Sequence, residues 1–535
     1  MRKTVLYNGK IATPAGFVEG MVADGQRIAF LGGSEEALAA LDVHERVDLG
    51  GRLVLPGFID GHMHFLSYAL SLERADFNGC RSIEELRSRL KRFIDESRPM
   101  PGEWIAGRGW NHEILSDGRM PMKEDLDDIS PRNPTVLLRV CDHIAVLNSC
   151  ALSALGLHGD SRFQGGMADV DEQGGLTGIV RESVVGHVIR SLPVPGTTEL
   201  RRMSLRAAGD LVRKGLTSVL SDDLGSLGGN LTVLMDLFLS LDEEGIMPVR
   251  ITEKLLLPDR LALDGFLSTG WRTGDGVPFF HIGPLKILSD GSLGARTALL
   301  REEYSDAPGV NGVAVHDRDE LDDLVWTAHH AGMQVAAHAI GDGALDMCLD
   351  AIERALSSSP RDSRHYIIHC QTGSPDQYGR MARLGVGAAI QPPFVPSDRE
   401  MALKRLGEER ALSGYAWSTL KELGIFLSGG SDAPVESFDP LWGIYTAVTR
   451  ADGEGSPPGG WNPSQRFSVA EAIDLYTRGG AYASFDEHRK GSLRVGMLAD
   501  SVVLDRDILS GPEEEIKDAK VVLTMTGGRI VHRAL

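Results

Sequence analysis

Eight short apolar runs, most of them separated by stretches with helical periodicity, constrain this 535-residue chain more than any other feature. They are LPGFIDGHMH, GLTSVLSDD, VRITEKLLL, HIGPLKILSDG, MQVAAHAIG, RHYIIHCQ, GVGAAIQPP and GIFLSGGSDAP. Between them, stretches such as DRDELDDLVWTAHHAG and GDGALDMCLDAIERAL place apolar residues three and four apart, the repeat of an amphipathic helix. Strands alternating with helices predict parallel βαβ units, and eight of them predict a closed (β/α)8 TIM-like barrel. Such barrels carry their catalytic groups at the C-terminal ends of the strands.

Four of the runs end in residues that can ligate a metal. His62 and His64 close the first run, His338 lies in the fifth, His369 in the sixth and Asp432 in the eighth. Side chains two apart leave a strand on the same face, so His62 and His64 can reach one ion. Lys286 sits inside PLKIL, where an unpaired ammonium is costly to bury. Together these donors suit one or two divalent ions and make a metal-dependent hydrolase the leading reading. The bare pair is weak evidence, because with 16 His in the chain chance supplies about half an H-x-H. Structural roles stay open for each residue: a backbone-satisfied histidine, a lysine reaching a carboxylate or solvent, or a turn or helix-cap aspartate before Ala433-Pro434.

Both ends of the chain read as β structure. Residues 1–55 and 491–535 hold short β-branched runs with Gly-rich turns, and neither end alone has enough to pack against. They predict a small antiparallel composite β-sandwich built from both termini, with the barrel over 56–490 inserted in it. Residues from about 65 to 205 exceed what one βα connection needs and predict a subdomain inserted after the first barrel strand, a candidate roof for the active site. The segment ADGEGSPPGGWNPSQ reads either as a lid carrying Trp461 or as a long connection.

The formal charge of −20 opposes nucleic-acid binding, which needs basic patches. Five widely spaced cysteines argue against a disulfide framework and for a reducing compartment. The basic start of the chain is followed by no apolar h-region, and no run of about 18 apolar residues occurs. The expectation is a cytoplasmic enzyme with a small-molecule substrate, no nucleic-acid or membrane partner, and a homodimer as the candidate assembly.

Across nearly its whole length the chain resembles the amidohydrolase superfamily, specifically the amidohydrolase-3 branch of YtcJ-like proteins. The resemblance is carried by PGFIDGHMH, LRVCDHIAVLNSCAL, KILSDGSLGARTA, HAIGDGA, GGSDAPVESFDPLWGIYTAVTR, EAIDLYTRGGAYASF and GSLRVGMLADSVVLD. These motifs are specific for the branch and silent on substrate. The resemblance implies His62, His64, carbamylated Lys286, His338, His369 and Asp432 as ligands of Zn²⁺, two ions per chain bridged by the carbamate, with other divalent metals as alternatives. Two departures stand out. The family often has a His after its Gln-Pro pair, where this chain has Gln391, Pro392, Pro393 and Phe394; and His369 lies in IIHCQ where an acidic residue is expected beside it.

The chemistry so implied is hydrolysis of a carbon–nitrogen bond other than a peptide bond (amide, N-acyl, N-formyl or cyclic amide) by a hydroxide formed at the metal, with Asp432 as ligand and as general base and acid. If Lys286 is not carbamylated, His62, His64, His338 and Asp432 can hold a single ion, leaving His369 as an electrophile or hydrogen-bond donor. Asp290, Arg296, Arg139, Asp142 and His143 are candidates for shaping the substrate pocket. A decarboxylase or isomerase using the same metal site, and a metal-free scaffold protein, are the rival readings.

Overall fold

The computed structural model describes residues 3–139, 144–159, 166–192 and 195–535. Eight parallel strands form its central sheet: β1 (Phe58–Met63), β2 (Leu216–Ser221), β3 (Arg250–Leu256), β4 (Phe280–Leu288), β5 (Val335–Ala339), β6 (Tyr366–His369), β7 (Gly387–Ile390) and β8 (Leu427–Gly429). Each pairs with its neighbours in chain order, from β1 to β8. The strands are buried almost throughout, which is why they read as continuous apolar runs rather than as alternating ones. Capped helices return the chain between strands. Before β5, for example, Arg318–His330 starts with a reciprocal cap between Asp317 and Glu320.

The ends of β8 and β1 bring the sheet round into a barrel. The His62 carbonyl accepts from the Ser431 and Asp432 amides at 3.2 and 2.7 Å. Two glycines permit that approach. A Cβ on Gly61 would collide with the Ser428 side chain, and one on Gly430 would lie 2.5 Å from the His62 amide. Asp60 ties the two strand ends together, because its carboxylate accepts from the amides of His62 and Ser431 and from the Ser431 hydroxyl.

Both termini contribute to a six-stranded sheet ordered Arg529–Arg533, Val521–Thr526, Ser501–Leu504, Leu53–Pro56, Lys10–Thr13 and Gly16–Val18. A four-stranded sheet, ordered Arg27–Gly32, Gly20–Asp24, Lys3–Tyr7 and Glu45–Asp48, shares its core through Leu6, Met21, Val54, Val503 and Leu523. Purely antiparallel pairing was expected here, yet Lys3–Tyr7 runs parallel to Glu45–Asp48 and Lys10–Thr13 parallel to Leu53–Pro56. The intervening chain, which includes the helix Ser34–Leu38, is long enough for a strand to return in the same direction.

A buried ion pair joins the barrel to these sheets. Arg250, at the start of β3, donates to Asp500 at 3.0 and 3.3 Å, with both side chains at most 3% exposed, and Asp500 also accepts from the Gly527 amide. Removing one member leaves the other charge buried and alone, so Asp500→Ala is expected to cost about 3–5 kcal/mol, read as a lowered denaturant midpoint.

Residues Ala69–Met203 form a second compact unit. Its six-stranded mixed sheet is ordered Gly166–Val170, Leu176–Glu182, Ile144–Leu147, Thr135–Arg139, Ile105–Trp110 and Ala75–Asp76, and it packs two apolar clusters, one around Phe77, Leu86 and Trp110 and one around Val136, Leu147 and Val180. Among the described residues no helix is long and apolar enough to cross a membrane.

Trp461 is buried and clasped to the helix before it. Its amide donates to the Arg450 carbonyl at 2.8 Å and its carbonyl accepts from Arg450 Nε at 2.6 Å. The Gly/Pro-rich segment is thus a pinned connection.

Candidate metal centre

His62, His64, Lys286, His338, His369 and Asp432 all line one cavity of about 340 Å³ at the C-terminal ends of the barrel strands. Ser67, Asp222, Ser226, Leu256 and Leu288 contribute further wall.

The tightest group is His62, His64 and Asp432, whose ligand atoms all lie within 4.8 Å of one another. Asp432 Oδ1 sits 3.3 Å from His62 Nε2 and 3.1 Å from His64 Nε2. Yet Asp432 Oδ1 and both ring nitrogens of His62 are buried without a well-directed hydrogen bond. Buried polar atoms left this way are costly. Convergent imidazole and carboxylate lone pairs suit a divalent cation, and the donor set is one that zinc favours.

Electrostatics sharpen the picture. Burial, reinforced by the nearby Lys286, pulls the His62 pKa well below its ordinary value, so His62 is neutral with a lone pair to offer. Burial likewise pulls His369 down to about 3, with His338 adding to the effect. Burial works against charge on His64 too, but the Asp432 carboxylate beside it prevails and pushes its pKa up to about 9. Asp432 shows the converse. Desolvation by itself raises its carboxyl, while the adjoining His62 and His64 rings hold it well below the usual carboxylate range. A cation bound at His64 would take the place of its proton.

Three of the four histidines have a polar group behind the ring. His64 Nδ1 lies 2.8 Å from the Asp222 carbonyl, which accepts its N–H and leaves Nε2 facing the cavity. His338 Nδ1 lies 3.0 Å from Asp290 Oδ1, and His369 Nδ1 lies 2.8 Å from Gln391 Oε1. The His338 and His369 rings meet edge to face, 4.6 Å between centroids, and His369 is 5.7 Å from His62. Lys286 Nζ is buried and pairs with Asp222 Oδ2 at 3.5 Å. His369 and Asp432 both have left-handed backbones, φ 74° and 58°, a conformation that non-glycine residues adopt at a cost and that clusters at functional sites.

The substrate-contact candidates fare differently. Asp290 lies behind His338 with a fully buried carboxylate that accepts from the amides of Leu299, Ile340 and Gly341. Arg296 makes a paired salt bridge to Asp306, which Arg405 also joins. Neither lines the cavity. Arg139 belongs to the second unit, where it donates to Asn111 and His112. Asp142 and His143 fall outside the described residues. Sequence reasoning passed over Asp222, although it follows the second strand run just as the ligand candidates follow theirs, and noted Gln391 only as part of the Gln-Pro pair after the seventh run.

With this geometry in view, comparison with known proteins is informative. The amidohydrolase family model matches residues 45–532. The chain belongs to the amidohydrolase family. This amidohydrolase is 34% identical over 491 residues to YtcJ of Bacillus subtilis, covering 91% of this chain and 90% of that protein. It is 25% identical over 548 residues to the N-substituted formamide deformylase of Arthrobacter pascens, covering 99% and 98% of the two chains. Its fold also matches the crystal structure of an uncharacterized metal-dependent hydrolase from Pyrococcus horikoshii, with a TM-score of 0.80 and 32% identity over 96% of this chain and 99% of that one. The amidohydrolase is thus a hydrolase with a TIM-like barrel and an additional β domain.

Proposed function

We propose that this amidohydrolase cleaves a carbon–nitrogen bond other than a peptide bond, in an amide, N-acyl, N-formyl or cyclic amide substrate, at a zinc centre held by His62, His64, Lys286, His338, His369 and Asp432. The observation that carries the reading is Asp432 Oδ1 at 3.3 and 3.1 Å from two histidine Nε2 atoms in the cavity at the barrel strand ends. The formamide deformylase among its relatives favours a C–N substrate.

A divalent ion bound by these donors lowers the pKa of water and polarises a scissile carbonyl. The residues do the rest. His62 and His369, neutral through burial, offer lone pairs, while the Asp222 carbonyl keeps the His64 ring turned to the cavity. Asp432, ionised at neutral pH, accepts the proton of the attacking water at its carboxylate and returns it to the leaving amine. Lys286, buried in the wall, is the group that would take up carbon dioxide: its nitrogen would bond to the carbon with loss of a proton, and the carbamate would offer two oxygens sharing one negative charge in place of an ammonium. Leu256 and Leu288 give the cavity an apolar side.

Hydrolysis of an N-formyl or N-acyl amine in ¹⁸O-labelled water is expected to place one solvent oxygen in the carboxylic acid product, measured by mass spectrometry. Turnover of a substrate without such incorporation would show a decarboxylation or isomerisation and replace this reading.

A further inference from the structure

Gln391 directly follows β7 and is fully buried. Its side chain makes two hydrogen bonds that together leave one arrangement. The amide nitrogen donates to the Ala389 carbonyl at 3.0 Å, and the amide oxygen lies 2.8 Å from His369 Nδ1. A carbonyl only accepts, so the NH₂ group must face Ala389 and the oxygen must face the histidine. An oxygen acceptor at Nδ1 requires a hydrogen there. A neutral imidazole has a single N–H, so placing it on Nδ1 leaves the lone pair on Nε2. Phe394, three residues on, lies nearly parallel to the His369 ring, 6.1 Å between centroids and 12° between planes. His369 itself has a left-handed backbone.

We infer that Gln391 is a positioning residue that sets the tautomer and ring angle of His369, so that Nε2 is presented to a divalent cation. The inference rests on the proposed role of His369 as a metal ligand. Histidine ligands characteristically donate their other ring N–H to such a partner, and losing that partner weakens metal binding by about 10- to 100-fold. In most such cases the acceptor is a carboxylate, a backbone carbonyl or water; here a side-chain amide, itself oriented by the Ala389 carbonyl, takes the place.

The test is a double-mutant cycle in metal binding. Gln391→Met, His369→Ala, the double variant and Gln391→Glu are prepared metal-free and titrated with Zn²⁺ against a chromophoric chelator, with thermal unfolding as the control for folding. Gln391→Met removes the acceptor and is expected to weaken one Zn²⁺ step by about 10- to 100-fold. Gln391→Glu keeps an acceptor for Nδ1 but loses the donor to the Ala389 carbonyl, and is expected to bind more tightly than Gln391→Met. On the His369→Ala background Gln391→Met should add nothing. A folded Gln391→Met with parental affinity, or losses that simply add, overturns the inference. If Gln391→Met does not fold, Gln391→Leu takes its place, and parental affinity in that folded variant overturns the inference. A His369→Ala protein with parental affinity removes the ligand role and the inference with it. Weakened His369→Ala beside an unaffected Gln391→Met removes the inference alone.

Discussion

Asp432→Asn is expected to lose about 10² to 10⁴ in turnover while retaining much of its metal. The amide oxygen of asparagine still points a lone pair at the two Nε2 atoms that Asp432 Oδ1 faces at 3.1 and 3.3 Å. What it lacks is a basic oxygen. The carboxylate is held ionised by the His62 and His64 rings despite its burial, and this ionised form is what accepts the proton of an attacking water. The variant separates holding a cation from moving a proton. Steady-state kinetics alongside metal analysis check it, and a near-parental turnover number would move the base to another group.

Lys286 carries the second large effect. Lys286→Ala is expected to lose metal together with activity, and a small carboxylate added to the buffer is expected to restore part of both by filling the vacated space. Lys286→Arg is the sharper variant, because the structure gives Lys286 an ordinary alternative role. Its Nζ lies 3.5 Å from Asp222 Oδ2, and a guanidinium can keep that ion pair. It stays cationic, however, and cannot form a carbamate. Lys286→Arg is therefore expected to fail in both metal content and turnover, while Lys286→Glu, with its shorter carboxylate, recovers part of the metal. Full activity and full metal in Lys286→Arg would make Lys286 a strand-end lysine paired with Asp222 and leave a single-ion site.

Much of the barrel could be read from the chain because parallel strands buried on both faces must be apolar along their length, and helices on its outside must be apolar every three or four residues. The runs ending in GHMH, AAHA, YIIHC and SGGSD therefore mark strands and polar strand ends at once, and the cavity gathers those ends. Gly430, two residues before Asp432, abuts His62. Other positions took their partners only in the fold. Asp290 and Arg296 lie in the motif that contains Lys286, yet one serves the Leu299, Ile340 and Gly341 amides and the other pairs with Asp306. Polar side chains in a loop look alike in sequence whether they face a cavity or the backbone behind it.

The sequence alone thus determined which segments are barrel strands, how many there are and which end in candidate metal ligands, because burial and residue type are properties of each segment. Only the tertiary structure decided what stands behind three of those candidates: the Asp222 carbonyl at His64, Asp290 at His338 and Gln391 at His369. Those partners come from different strands and loops, Asp222 lying 158 residues from His64 and Gln391 22 residues from His369. Their pairing depends on the register and curvature of the closed sheet, and no local run of residues encodes either.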